Sequence, residues 1–115
     1  MDKNDKNINV LGTGYMVLFR FPKNDTYLGK ERAGYCDKTS KTIVVALKDE
    51  TNELDDYDVF LKQLIRHEVV HAFLFESGLH ENFTHPGYGH EETIVDWIAA
   101  QYPKMLEVFK QLECI

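Results

Sequence analysis

The sequence predicts an α+β domain, and three features lead there. Segments rich in β-branched and aromatic residues are confined to residues 15–47, and apolar residues at helical spacing dominate from residue 55 onward. No repeat, low-complexity run or linker divides the 115 residues, so they are expected to form one domain spanning 1–115. A chain of this length can bury a core of its own without cross-links.

The elements follow in order. The first nine residues, "MDKNDKNIN", are polar and are expected to be mobile. "YMVLFRF" (15–21) is rich in strand formers and ends at Pro22, which suits a strand followed by the loop "PKNDTYLG". "RAGYCD" (32–37) and "KTIVVAL" (41–47) flank a short polar turn and read as a β-hairpin. The expected sheet is therefore antiparallel, with about three strands. In "DDYDVFLKQLIRHEVVHAFLFESG" the apolar positions Phe60, Leu61, Leu64, Ile65, Val69, Ala72, Phe73 and Leu74 recur near helical period. Asp55 is the expected N-cap, Asp56 and Asp58 favour the first turn, and Gly78 can take the left-handed conformation past the last one. The loop "GLHENFTHPGYGH" leads to a second helix near 90–101, and Pro103 can open a third from its first-turn position.

Composition narrows the function. A net charge of −6, with the lysines scattered among acids, argues against nucleic acid as a partner. No apolar run approaches the ~20 residues of a membrane span, and the N-terminus lacks the apolar core of a signal peptide, so a cytoplasmic protein is expected. Cys36 and Cys114 form no C-x-x-C pair and read as two free thiols.

The chemistry is concentrated in "RHEVVH". A helix advances about 100° per residue, so His67 and His71 stand one turn apart on one face and can reach one metal ion together. Glu68 lies beside them, offset in angle, in the place of a general base for a metal-activated water. Catalytic zinc takes three protein ligands and keeps one position open. In "HEETIVDW", Glu92 and Asp96 are four apart and share a face, so Glu92 suits the third ligand and Asp96 can fix the tautomer of a ligand imidazole. His90 is the main alternative, followed by Glu91; His90 has a less fixed direction, and Glu91 has Val95 rather than an acid one turn on. Tyr88, flanked by Gly87 and Gly89, is favoured over His85 and His80 for stabilising an oxyanion. Trp97 and Tyr102 are expected in the core, His80 and His85 on the surface, and Arg66 as a surface charge.

"HEVVH", followed about twenty residues later by "EETIVD", resembles the gluzincin branch of zinc metallopeptidases. The layout from Tyr15 onward is similar to that of small single-domain gluzincin-like enzymes of bacteria and their phages. The resemblance implies a zincin-like domain with one catalytic zinc ion, held by His67, His71 and Glu92, with Glu68 as base and Asp96 behind a ligand. It also implies a protein or peptide substrate bound in extended form along a sheet edge. The spacing between the two motifs is shorter than in thermolysin, and the residues that polarise the substrate in larger members have no assignable counterpart. Three alternatives accompany this expectation. One is a metal-stabilised interaction domain without activity, and another is an SprT-like protease using His90. The third is a peptidase with a single dedicated target, like the repressor-cleaving enzymes of mobile genetic elements. A monomer is the simplest state.

Overall fold

The computed structural model describes residues 3–29, 31–50, 52–82 and 92–115; within the last stretch the side chains of Glu92, Thr93, Val95, Asp96 and Ala99 are not described. The architecture is α+β. Four strands, β1 (Lys6–Val10), β2 (Thr13–Arg20), β3 (Gly34–Asp37) and β4 (Thr42–Ala46), are followed by the helices α1 (Tyr57–Ser77), α2 (Leu79–Asn82) and α3 (Glu92–Gln111).

The sheet is larger than the sequence suggested, and it is mixed. Its order is β1-β2-β4-β3, with β1–β2 and β3–β4 antiparallel but β2–β4 parallel. Residues 21–33 carry the chain past the position that β4 later fills, so β3 lands on the edge and β4 returns between it and β2. Of the nine residues expected to be mobile, the last four, 6–9, belong to strand β1. "KNINV" holds only two apolar residues, but they alternate, and Ile8 and Val10 are almost wholly buried. Leu11 and Gly12, both at positive φ, form the two-residue turn to β2 that a tight hairpin needs. Asp5 anchors the entry to β1, accepting two hydrogen bonds from the Arg20 guanidinium at 2.9 Å and one from the Phe19 amide at 3.1 Å.

The helix α1 starts one residue later than expected, because Asp56 rather than Asp55 is the N-cap; its side chain accepts from the Val59 amide at 3.2 Å. Gly78 ends the helix at φ 83°, the left-handed cap anticipated for it. The buried face of α1 (Leu61, Ile65, Val69, Ala72 and Phe73) packs on Tyr15, Val17, Ile43 and Val45 of the sheet. Each large side chain so buried contributes roughly 1.5–3 kcal/mol of transfer free energy. Polar ties lock the same interface: Tyr57 donates to the Ala46 carbonyl, and Glu76 accepts from both Tyr15 (3.0 Å) and Lys41 (2.6 Å).

Beyond residue 91 the sequence suggested two helices divided at Pro103, whereas the structure has one that runs through it. Met105, Val108 and Phe109 continue the apolar stripe into the core, and Leu112 follows just past the helix. Pro103 lies on the exposed side, where a carbonyl that loses its amide partner can turn to water. Tyr102 is 52% exposed and does not belong to the core, while Trp97 packs against it. Arg66 is no simple surface charge: it donates to the Cys114 carbonyl at 2.6 Å and ties the C-terminus to α1. Among the described residues no helix is long and apolar enough to cross a membrane.

Candidate metal centre

The histidine pair is positioned by α1 alone. One turn of helix separates His67 from His71, and their Nε2 atoms lie 3.1 Å apart with the rings nearly perpendicular. Two zinc–nitrogen bonds of about 2.0–2.1 Å span such a separation at a near-tetrahedral angle. The same distance suits one N–H···N hydrogen bond, so the rings are compatible with each other before an ion arrives. His67 is exposed and His71 half-buried. Burial, then the neighbouring His67 and His80, pushes the His71 pKa down, which favours the neutral imidazole that a metal requires.

Glu68 lines the same cleft and faces β3. It is 4% exposed and is the one buried charged residue among those described. No described residue donates a hydrogen bond to its carboxylate. Burial raises its pKa, against the opposing pull of His67 and Arg32. A desolvated carboxylate without donors is costly to maintain and is characteristic of a group kept ready to take a proton.

The space around Glu68 is set by β3. A β-carbon on Gly34 would stand 3.0 Å from Leu64 Cδ1, 3.1 Å from the Val44 carbonyl and 3.3 Å from Glu68 Oε2. Glycine here lets the edge strand close on the helix. The signal was present in "RAGYCD", since a glycine inside a strand often marks a close approach, but it was not read as part of the site. Between β3 and α1 lies an open cleft of about 630 Å³, walled by residues 31–36 on one side and by Phe60, Leu64, His67, Glu68, His71 and Phe75 on the other. The Ala46 amide donates to the Ala33 carbonyl at 2.8 Å, which makes those two a hydrogen-bonded pair. By the antiparallel alternation, Gly34 and Cys36 then direct their main-chain groups to the free edge of the sheet. Cys36 and Cys114 are both free thiols, and burial drives the Cys36 pKa up to about 12, so its thiol stays protonated.

Glu91, His90, Tyr88 and His85 lie outside the described residues, as do the side chains of Glu92 and Asp96. Among the described residues no group of three or more His, Cys, Asp or Glu side chains could hold a metal ion. The run of α3 is nonetheless visible. Trp97 Nε1 donates to Ser77 Oγ at 2.7 Å, while Phe109 shares a shallow basin with Val70 and His71. The helix thus runs antiparallel to α1. His80 is exposed, and its ring meets Phe75 edge-on at 4.8 Å; Phe75 in turn stacks on His71, and so separates His80 from the pair.

The chain matches no protein-family model, and no curated protein or solved structure is significantly similar to it.

Proposed function

We propose that the protein is a zinc-dependent peptidase. The observation that carries the reading is the division of labour within "HEVVH": two imidazole nitrogens converge to 3.1 Å at the cleft, and the carboxylate between them in sequence is buried and has no donor among the described residues. The pair fits zinc by nitrogen separation and by the neutral state favoured at His71. His67 and His71 would hold the ion, with Glu92 as third ligand and Asp96 behind one imidazole. Bound zinc supplies a water of pKa ~7 and polarises a carbonyl.

The chain's own groups do the rest. Glu68 takes the proton from the attacking water and passes it to the leaving amine. Burial raises its pKa in the metal-free protein, so this carboxylate accepts a proton more readily than an exposed one. The free edge at Gly34 and Cys36 offers main-chain hydrogen bonds to an extended peptide, which fixes the scissile bond beside Glu68. Tyr88 is the proposed oxyanion donor.

A second reading differs only in the third ligand. In that reading His90, in the segment before α3, takes the place of Glu92.

The test compares the parent with Glu68→Gln, both loaded with zinc, on a pool of random dodecapeptides followed by mass spectrometry. The expected result is cleavage by the parent and a loss of at least a hundredfold in the variant. Equal rates would remove Glu68 from the chemistry. Zinc binding without cleavage by either protein would favour a metal-stabilised interaction domain.

A further inference from the structure

Among the described residues, the α1 wall of the cleft runs from Phe60 to Phe75. Past His71 it stops within one helical turn at Phe75, where Lys38 of the β3–β4 turn sits 5.5 Å above the Phe75 ring and 3.5 Å from Glu81 of α2. In the other direction, Ala33 and Phe60 line the cleft and also a second basin of about 720 Å³, where Leu47, Leu54, Tyr57 and Phe60 form an apolar wall rimmed by Lys23, Asp49 and Glu53. Leu54 is 45% exposed on that wall, although the helix it precedes is well packed. The two cavities thus adjoin at Ala33 and Phe60, beside β3 and the first turn of α1.

We infer that this second basin is a specificity site of the proposed peptidase, taking a large apolar side chain on the C-terminal side of the scissile bond; the inference rests on the peptidase reading. The polarity comes from β3. The strand runs from Gly34 toward Lys38, and a peptide pairing antiparallel to its free edge runs from the Phe75 end toward the Phe60 end. Its C-terminal part therefore enters the basin. The register comes from the helix. Phe60 precedes His67 by seven residues, ~10 Å along the axis at 1.5 Å per residue, which an extended chain covers in about three residues. The occupant is thus the third residue after the cut, and its class is large and apolar: Leu, Met, Phe or Tyr. On the N-terminal side the described lining extends about one turn of helix, ~6 Å, to Phe75, so among the described residues the substrate is held chiefly through the residues that follow the cut.

The test sequences the products of a random dodecapeptide pool cleaved by the zinc-loaded parent and by Leu54→Ser, a variant chosen because Leu54 is exposed and lies outside the packed core. Parent products should be enriched about tenfold in large apolar residues at the third position after the cut, and Leu54→Ser should lose most of that enrichment. Cleavage with no preference there, or with a preference that Leu54→Ser leaves intact, overturns the inference while the peptidase reading stands. If the parent cuts nothing, the readout becomes retention of the same pool on zinc-loaded Glu68→Gln. Apolar peptides retained by that protein and released when Leu54→Ser is added to it uphold the basin as a binding site and leave the catalytic reading to fall alone. No retention, or retention indifferent to Leu54→Ser, overturns that binding site as well.

Discussion

Oε2 of Glu68 lies 3.3 Å from the position that a β-carbon on Gly34 would occupy, so the edge strand and the proposed catalytic carboxylate are as close as backbone and side chain can comfortably be. The contact links a sheet edge to a helix and sets how far the base can move. It is the strongest geometric constraint on the site among the described residues.

Gly34→Ala is accordingly expected to displace Glu68 and Leu64. The new methyl would meet the Val44 carbonyl at 3.1 Å, and that backbone cannot swing aside. Overpacking of this kind costs about 1–3 kcal/mol, and cleavage should fall roughly tenfold or more as the base leaves its position. Gly29→Ala, where no atom lies within 4 Å of the added carbon, is the control for overpacking and should leave the melting temperature unchanged.

The burial of Glu68 predicts a pH-dependent stability in the metal-free protein. Its folded pKa is raised above the unfolded value, so the folded state binds the proton more tightly than the unfolded chain does. The contribution to stability is full at pH below the unfolded pKa and is lost as pH rises through the folded one. Glu68→Gln removes that loss. At neutral pH without metal, the variant should be more stable than the parent, by on the order of 1 kcal/mol, with the difference vanishing in acid. Urea melts at two pH values measure this; a variant less stable at neutral pH would mean that the carboxylate has a favourable partner.

Metal content separates the two candidates for the third ligand. Glu92→Ala should lower the zinc retained by purified protein far more than His90→Ala. The reverse order would assign the role to His90.

Pro103 carries a prediction about the fold alone. It stands on the exposed side of α3 with a continuous apolar stripe on either side of it. Pro103→Ala restores an amide donor without disturbing packing, and the melting temperature should rise, corresponding to roughly 1–3 kcal/mol. A fall would indicate that the proline is needed for the shape of the helix.

The sequence made some of these features legible and hid others for identifiable reasons. The strong periodicity of α1, its acidic start and Gly78 announced that helix to within two residues, and the β3–β4 hairpin was evident from two apolar segments around a polar turn. Strand β1 was hidden because Asn7 and Asn9 face outward and leave only Ile8 and Val10 to carry the alternation. The parallel β2–β4 pairing depends on where residues 21–33 cross, which no local pattern encodes. Pro103 misled because local propensity was outweighed by the burial of Met105, Val108 and Phe109 on one rod. At the site, the spacing of His67 and His71 foretold their convergence, since helix geometry alone dictates it. The burial of Glu68 against Gly34 was not foretold, because it joins residues that are distant in the chain.

The central claim is that His67 and His71 grip one zinc ion together. Calorimetric titration of zinc into metal-free protein tests it most directly. The account predicts one tight site per chain in the parent, with affinity reduced at least a hundredfold in both His67→Ala and His71→Ala. A parent that binds no zinc stoichiometrically, or either variant binding it as tightly as the parent, would contradict it.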